Sequence, residues 1–158
     1  MRLRNLKNMP VFNNHNAEII GAVDKLVIGD DYKIAYLIVS LHGGSSQMFA
    51  PDEFVLSDNA VIVNDLSCIK SYLHGEELSI YDKKLGDLIF DHSGNELGIV
   101  SDFVVCPQEK QVYAIEVSSG VLQDLWAGRK DVNLHEIAWK SDYSGMIDVE
   151  GRDINGDK

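Results

Sequence analysis

The chain is short of everything that would commit it to a membrane, a disulfide framework or a nucleic-acid backbone. Of its 158 residues three are proline and two are cysteine, and basic residues number 14 against 25 acidic ones. No apolar run approaches the roughly 18–20 residues that cross a bilayer; Ile34–Val39 and Leu97–Val100 are strand-sized. Arg2, Arg4 and Lys7 open the chain, but no apolar segment with a small-residue cleavage site follows, so a secretory leader is not expected and the location is read as cytoplasmic. Cys68 and Cys106 stand in apolar contexts without CxxC spacing, which favours buried thiols over zinc ligation or a disulfide. A net charge of −11 repels phosphate, so direct nucleic-acid binding is disfavoured and a basic protein partner is favoured.

Against these absences, 45% of the chain is hydrophobic, enough for a folded core. The segment from Gly21 to Gly43 recurs without gaps from Gly98 to Gly120. Gly21/Gly98, Val23/Val100, Val27/Val104, Lys33/Lys110, Tyr36/Tyr113, Ile38/Ile115 and Gly43/Gly120 are identical pairs. Upstream, Val11-Phe12-Asn13 matches Ile89-Phe90-Asp91; downstream, Pro51-Asp52-Glu53-Phe54 resembles Leu134-His135-Glu136-Ile137, and Val61-Ile62-Val63 resembles Met146-Ile147-Asp148. The pattern reads as a duplication whose second copy holds insertions after Gly120.

Each copy reads as a meander of short strands. Val11–Phe12 and Leu88–Phe90 lead into turns rich in Asn, Asp, Ser and Gly. Ile20–Ile28 and Leu97–Val105 follow, with Asp24-Lys25 and Ser101-Asp102 marking a bulge or a wet edge. Ile34–Leu41 and Val112–Val117 come next, Tyr36 with Ile38 and Tyr113 with Ile115 pointing inward by period two, and Ala60–Val63 or Met146–Val149 ends each copy. The expected fold is all-β: two tandem small barrels with short helical connections, because closure removes exposed strand edges. Residues 1–80 would hold the first copy and 81–150 the second. The 66–81 connection has Ile69, Tyr72 and Leu73 at helical spacing with Gly75 as a stop, and 151–158 are a disordered tail. Units of this size have small cores, so the copies are expected to pack on one another or the chain to form a homodimer.

An apolar pair, a turn with Asp or Asn and Gly, a Leu/Ile-Gly-x-Val step, a β-branched strand and then an aromatic-bearing strand resemble the PRC-barrel family. The residues are Ile89-Phe90-Asp91-His92-Ser93-Gly94-Asn95-Glu96-Leu97-Gly98-Ile99-Val100, and in the first copy Val11-Phe12-Asn13 through Ile20-Gly21-Ala22-Val23. Gly128 to Ile137 is similar to the family's approach to a Pro-Trp-Glu-like corner, although the corners here read Ala50-Pro51-Asp52 and Leu134-His135-Glu136. The resemblance implies a compact non-enzymatic adaptor with no shared catalytic residue.

Other chemistry is weakly represented. His15, His42, His74, His92 and His135 are scattered without metal-ligand spacing, so no metal is expected. Asp91–Asn95 and Asp153–Asp157 alternate oxygen side chains but lack the glycine and glutamate of calcium loops. Gly43-Gly44-Ser45-Ser46 lacks the lysine of a phosphate loop, and Ser45, Ser46, Ser118 and Ser119 have no nucleophile frame. No cofactor is implied. In the second copy's insertion, Leu122, Leu125 and Trp126 stand at i, i+3, i+4 beside Arg129 and Lys130. This set either offers a partner an aromatic anchor with a basic island, or closes the barrel while the cations balance Asp124 and Asp131. The reading is a cytoplasmic protein-binding adaptor. Its alternatives are a ribosome-associated assembly factor docking a basic ribosomal protein, and a small-ligand binder or enzyme with a site between the barrels.

Overall fold

The computed structural model describes residues 1–64, 70–71, 79–120 and 128–147. Ile69, Tyr72, Leu73, Gly75, Leu122, Leu125, Trp126 and the 151–158 tail lie outside them. The first sheet is built from β1 (Pro10–Asn13), β2 (Ile19–Ile28), β3 (Ile34–Leu41), β4 (Ser46–Phe49), β5 (Phe54–Leu56), β6 (Val61–Val63) and β7 (Lys70–Ser71). After a one-turn helix α1 (Ile80–Lys84) come β8 (Leu88–Asp91), β9 (Glu96–Cys106), β10 (Gln111–Ser118), β11 (Lys130–Asn133), β12 (Ile137–Ser141) and β13 (Ser144–Ile147). The protein is mainly β.

The first sheet runs β5-β6-β1-β2-β3-β4-β7 and the second β12-β13-β8-β9-β10-β11. Connectivity forces both to curl. β4 and β5 stand five strand spacings apart, about 24 Å if the sheet were flat, yet only Ala50–Glu53, including the 3-10 turn Pro51–Glu53, joins them. Such a link reaches roughly 10–14 Å, so the far strands must approach each other. β11 and β12 are joined in the same way by the 3-10 turn Leu134–Glu136. The first corner is fastened by Glu53, whose Oε2 accepts the Ala50 N–H at 2.8 Å.

The two sheets share local detail. In each, one pairing is parallel, β1 with β6 and β8 with β13, and a register slip falls between Val11 and Phe12 or between Ile89 and Phe90. The Asn8 N–H donates to Val23 O at 2.8 Å and the Val23 N–H to Met9 O at 2.9 Å; Gly86, Val100 and Asp87 repeat this exchange at 2.8 and 2.9 Å. Asn8 (φ 67°) and Gly86 (φ 85°) both take the left-handed conformation that the exchange needs.

The chain divides into two compact units, Met1–Lys83 with Val104–Val112, and Lys84–Phe103 with Tyr113–Lys158. Within the first, Val104–Val112 is well held. The Ile34 N–H donates to Lys110 O at 2.9 Å and the Val112 N–H to Tyr32 O at 2.8 Å. The Lys110 ammonium, 4.7 Å from the Phe54 ring centre, donates to Pro51 O and, at 2.5 Å, to Phe54 O. Burial lowers its pKa from 10.5, opposed by the Asp52 charge.

Some expectations change. In β3, Leu37, Ile38 and Val39 are all buried, and in β10 so are Ala114 to Val117, while Tyr113 is exposed. These strands are covered on both faces, so period two does not hold and Tyr113 does not point inward. The register of β2 against β3 slips around Asp24, as a bulge there requires, but Asp102 is fully buried, its Oδ1 accepting the Phe103 N–H at 2.8 Å. Lys70–Ser71 pairs with β4 as a strand. Cys106 is free and half-buried rather than buried.

Ser79 precedes α1 and is fully buried, with its Oγ accepting the Ile28 N–H at 2.9 Å. Ser79→Ala leaves that amide without its acceptor, and urea unfolding is expected to show a loss of about 1–3 kcal/mol.

Candidate functional site

The middle of β10 carries an ionisable side chain where an apolar one would be usual. Glu116 is 1% exposed, and its Oε1 accepts Ser101 Oγ–H at 2.8 Å and Arg129 Nη1–H at 3.0 Å. A carboxylate withdrawn from water this far needs such donors. Gly128, at φ 71°, turns the chain immediately before Arg129, and Lys130 then starts β11 by pairing with Val117. The cations of the expected basic island thus divide: Arg129 is bonded to Glu116, while Lys130 is exposed.

The second unit also carries an apolar face that the sequence reading did not single out. Leu85, Leu88, Ile99 and Tyr143 are 39, 38, 40 and 76% exposed. Three of them are joined by pairing: Leu88 is opposite Ile99 in the β8–β9 ladder, and the Leu88 N–H donates to Tyr143 O at 3.0 Å. Lys84 holds the supporting segments. Its buried ammonium pairs with Asp87 at 3.2 Å, sits 4.3 Å from the Trp139 ring centre and reaches Asp142 O at 3.4 Å. Leu85 and Tyr143 therefore flank residues fastened to one cation. The first sheet has no such face at the matching ladder position, where the pair opposite one another is Pro10 and Ala22, both half-buried. Strand parity accounts for it once burial is known. With Ile89 and Val100 buried, their neighbours Leu88 and Ile99 must face the other way.

The turns carrying His15 and His92 are alike. Asn13 Oδ1 accepts the His15 N–H at 3.0 Å and Asp91 Oδ1 the Ser93 N–H at 2.9 Å, with both histidines exposed. Among the described residues no group of three His, Cys, Asp or Glu could hold a metal ion. The Asp91 carboxyl is held below its ordinary 3.8, first by the Asn95 side chain, then by the Asn95 amide and, more weakly, by the Ser93 amide and the His92 charge, with desolvation opposing them. What these bonds contribute is therefore present above pH 3.8 and lost as pH falls through the lower folded value. An NMR titration is expected to place the Asp91 midpoint below 3.8, with the Ser93 and Asn95 amide shifts following it.

Residues 1–67 match the PRC-barrel domain family. This segment is a PRC-barrel domain. The match spans β1 to β6, with both the Gly21 step and the Pro51–Glu53 corner inside it. No curated protein matches the chain. The apolar face and the Glu116–Arg129 pair lie beyond the matched PRC-barrel segment, in the second unit. Among the described residues no helix is long and apolar enough to cross a membrane.

Proposed function

We propose that the chain is a cytoplasmic protein-binding adaptor in which a PRC-barrel domain is followed by a second barrel of the same kind, and that the second carries the docking face. The shared strand order supports the second barrel. The observation that carries the docking reading is the exposure of Leu88 and Ile99, paired on strands whose other faces are buried, with Leu85 and Tyr143 exposed in the turns that lead into β8 and β13. The partner is a protein presenting apolar side chains ringed by Lys and Arg, because the second unit holds 13 Asp and Glu against six Lys and Arg. Leu122, Leu125 and Trp126, with Lys130, are proposed as a further anchor on the same unit.

The test compares wild type with Ile99→Ser/Tyr143→Ser in affinity capture from the native host. Both side chains are exposed, so the variant is expected to keep its fold. The reading expects a basic protein that wild type retains and the variant loses, with retention weakening as salt rises. Equal recovery by both proteins, or a partner insensitive to salt, would count against it. Trp126→Ala separates the two proposed anchors, since it lowers recovery only if the insertion takes part.

A further inference from the structure

The outer face of the first sheet carries a row of apolar side chains whose ends face solvent. In the ladders Val55 is opposite Ile62, Ile62 opposite Phe12, and Phe12 opposite Ile19, so the four follow one another across β5, β6, β1 and β2. Three strand spacings separate the ends, about 14 Å. Parity turns the row outward, because its apolar neighbours along the strands, Val11, Phe54, Leu56, Val61 and Val63, are 5% exposed or less. Ile19 and Val55 are 49 and 48% exposed, and Phe12 and Ile62 between them are half-buried. The fold does not require such a row. In the second sheet the same ladder positions hold Ala138, Met146, Phe90 and Glu96, with the alanine and the glutamate exposed at the ends. Single exposed apolar residues mean little, but a contiguous row marks a surface that another molecule covers.

The charge around the row decides what that molecule is. Segments 10–23 and 51–64, which form these strands and their turns, hold Glu18, Asp52, Glu53 and Asp58 and no Lys or Arg. Glu18 adjoins Ile19, and Asp52 and Glu53 lead into β5, so these three lie at one end of the strands, with Asp58 in the turn at the other. The Lys110 ammonium, bonded to the Pro51 and Phe54 carbonyls, offsets one of the four acids, and the balance stays negative. Phosphate-bearing surfaces are repelled by this field, as is the same face of a second copy, while a cationic segment is attracted.

We propose that this row is a docking surface on the PRC-barrel domain itself for a cationic amphipathic segment of a partner protein. Its apolar side chains lie along the row and its Lys or Arg side chains point towards Glu18, Asp52 and Glu53. The surface is separate from the proposed face on the second unit. The probe is an amidated peptide of two Leu-Lys-Lys-Leu-Leu-Lys-Leu heptads, with Glu-for-Lys and Ser-for-Leu counterparts, added to the full chain and followed by amide NMR at low salt. The lysine peptide is expected to shift the Phe12, Ile19, Val55 and Ile62 amides in a saturable way, to leave the Ser57–Ala60 turn unshifted, and to bind about tenfold more tightly than either counterpart. Ile19→Ser/Val55→Ser, at two exposed positions, is expected to weaken this binding about tenfold. Glu18→Lys, in an exposed turn, is expected to narrow the preference for lysine over glutamate. Absence of saturable shifts at the four amides, shifts confined to Leu88 and Ile99, equal affinity for either counterpart, or unchanged affinity in the double variant would each overturn the assignment.

Discussion

Gly98→Ala is expected to cost about 3–5 kcal/mol, combining close packing against backbone with an unfavourable backbone conformation. A Cβ at Gly98 would stand 2.2 Å from the Ser118 carbonyl oxygen and 2.8 Å from its carbon, at a φ of +147°. Those neighbours are backbone within a ladder and cannot swing aside. Gly21→Ala faces the same obstacle, with Ser40 O at 2.1 Å and Leu41 Cα at 3.0 Å. The control is Gly43→Ala, where nothing lies within 4 Å and no left-handed φ is needed; its effect is expected to stay within about 1 kcal/mol of zero. Urea denaturation of the three variants checks the set, and a Gly98→Ala protein as stable as Gly43→Ala would refute the close approach.

The second large effect concerns Glu116. Arg129→Met removes a guanidinium whose partner carboxylate is 1% exposed, and the loss is expected to be about 2–4 kcal/mol. Arg129 is itself 45% exposed, so little of this is attraction across solvent; most is the cost of leaving Glu116 buried with fewer donors. Glu116→Gln in the Arg129→Met background is expected to recover much of it, because a neutral amide can still take the Ser101 hydroxyl hydrogen bond. A double-mutant cycle by thermal or urea unfolding measures this coupling. If the two single losses simply add, Arg129 and Glu116 do not act as a pair.

These two effects differ in how far they could be read before folding. Gly21 and Gly98 stood out as matched positions inside β-branched segments, and a glycine there signals close backbone approach. The long strands were legible for a related reason: Ile20–Ile28, Ile34–Leu41 and Leu97–Val105 are apolar enough to announce themselves, and their ends fall within about a residue of β2, β3 and β9. Three short strands were not, although Val11–Phe12, Leu88–Phe90 and Ala60–Val63 were read and fall in or beside β1, β8 and β6. Ser46–Phe49, Lys130–Asn133 and Ile137–Ser141 mix polar with apolar residues, and they are strands because a neighbouring strand pairs with their backbone. Register was also beyond the sequence. The ladders set Val63 opposite Asn13 and Ile147 opposite Asp91, so Val63 corresponds to Ile147 rather than to Asp148.

The candidate site was legible in part. Arg129 and Lys130 were singled out as a pair, yet Arg129's partner in β10 is an acid inside an apolar strand, to which the sequence reading gave no role. Leu88 and Ile99 were placed in strands, without a face assigned to either. Only the burial of Ile89 and Val100 shows which parity faces outward.

The docking claim is tested most directly by placing a photoreactive p-benzoylphenylalanine at Tyr143 and, in a second protein, at Asn59, the exposed residue that precedes β6 as Tyr143 precedes β13. Irradiation in the native host should yield a discrete adduct with a basic protein from position 143 and none from position 59. Adducts of equal yield from both positions, or none from 143, would contradict a partner seated on the second unit's apolar face.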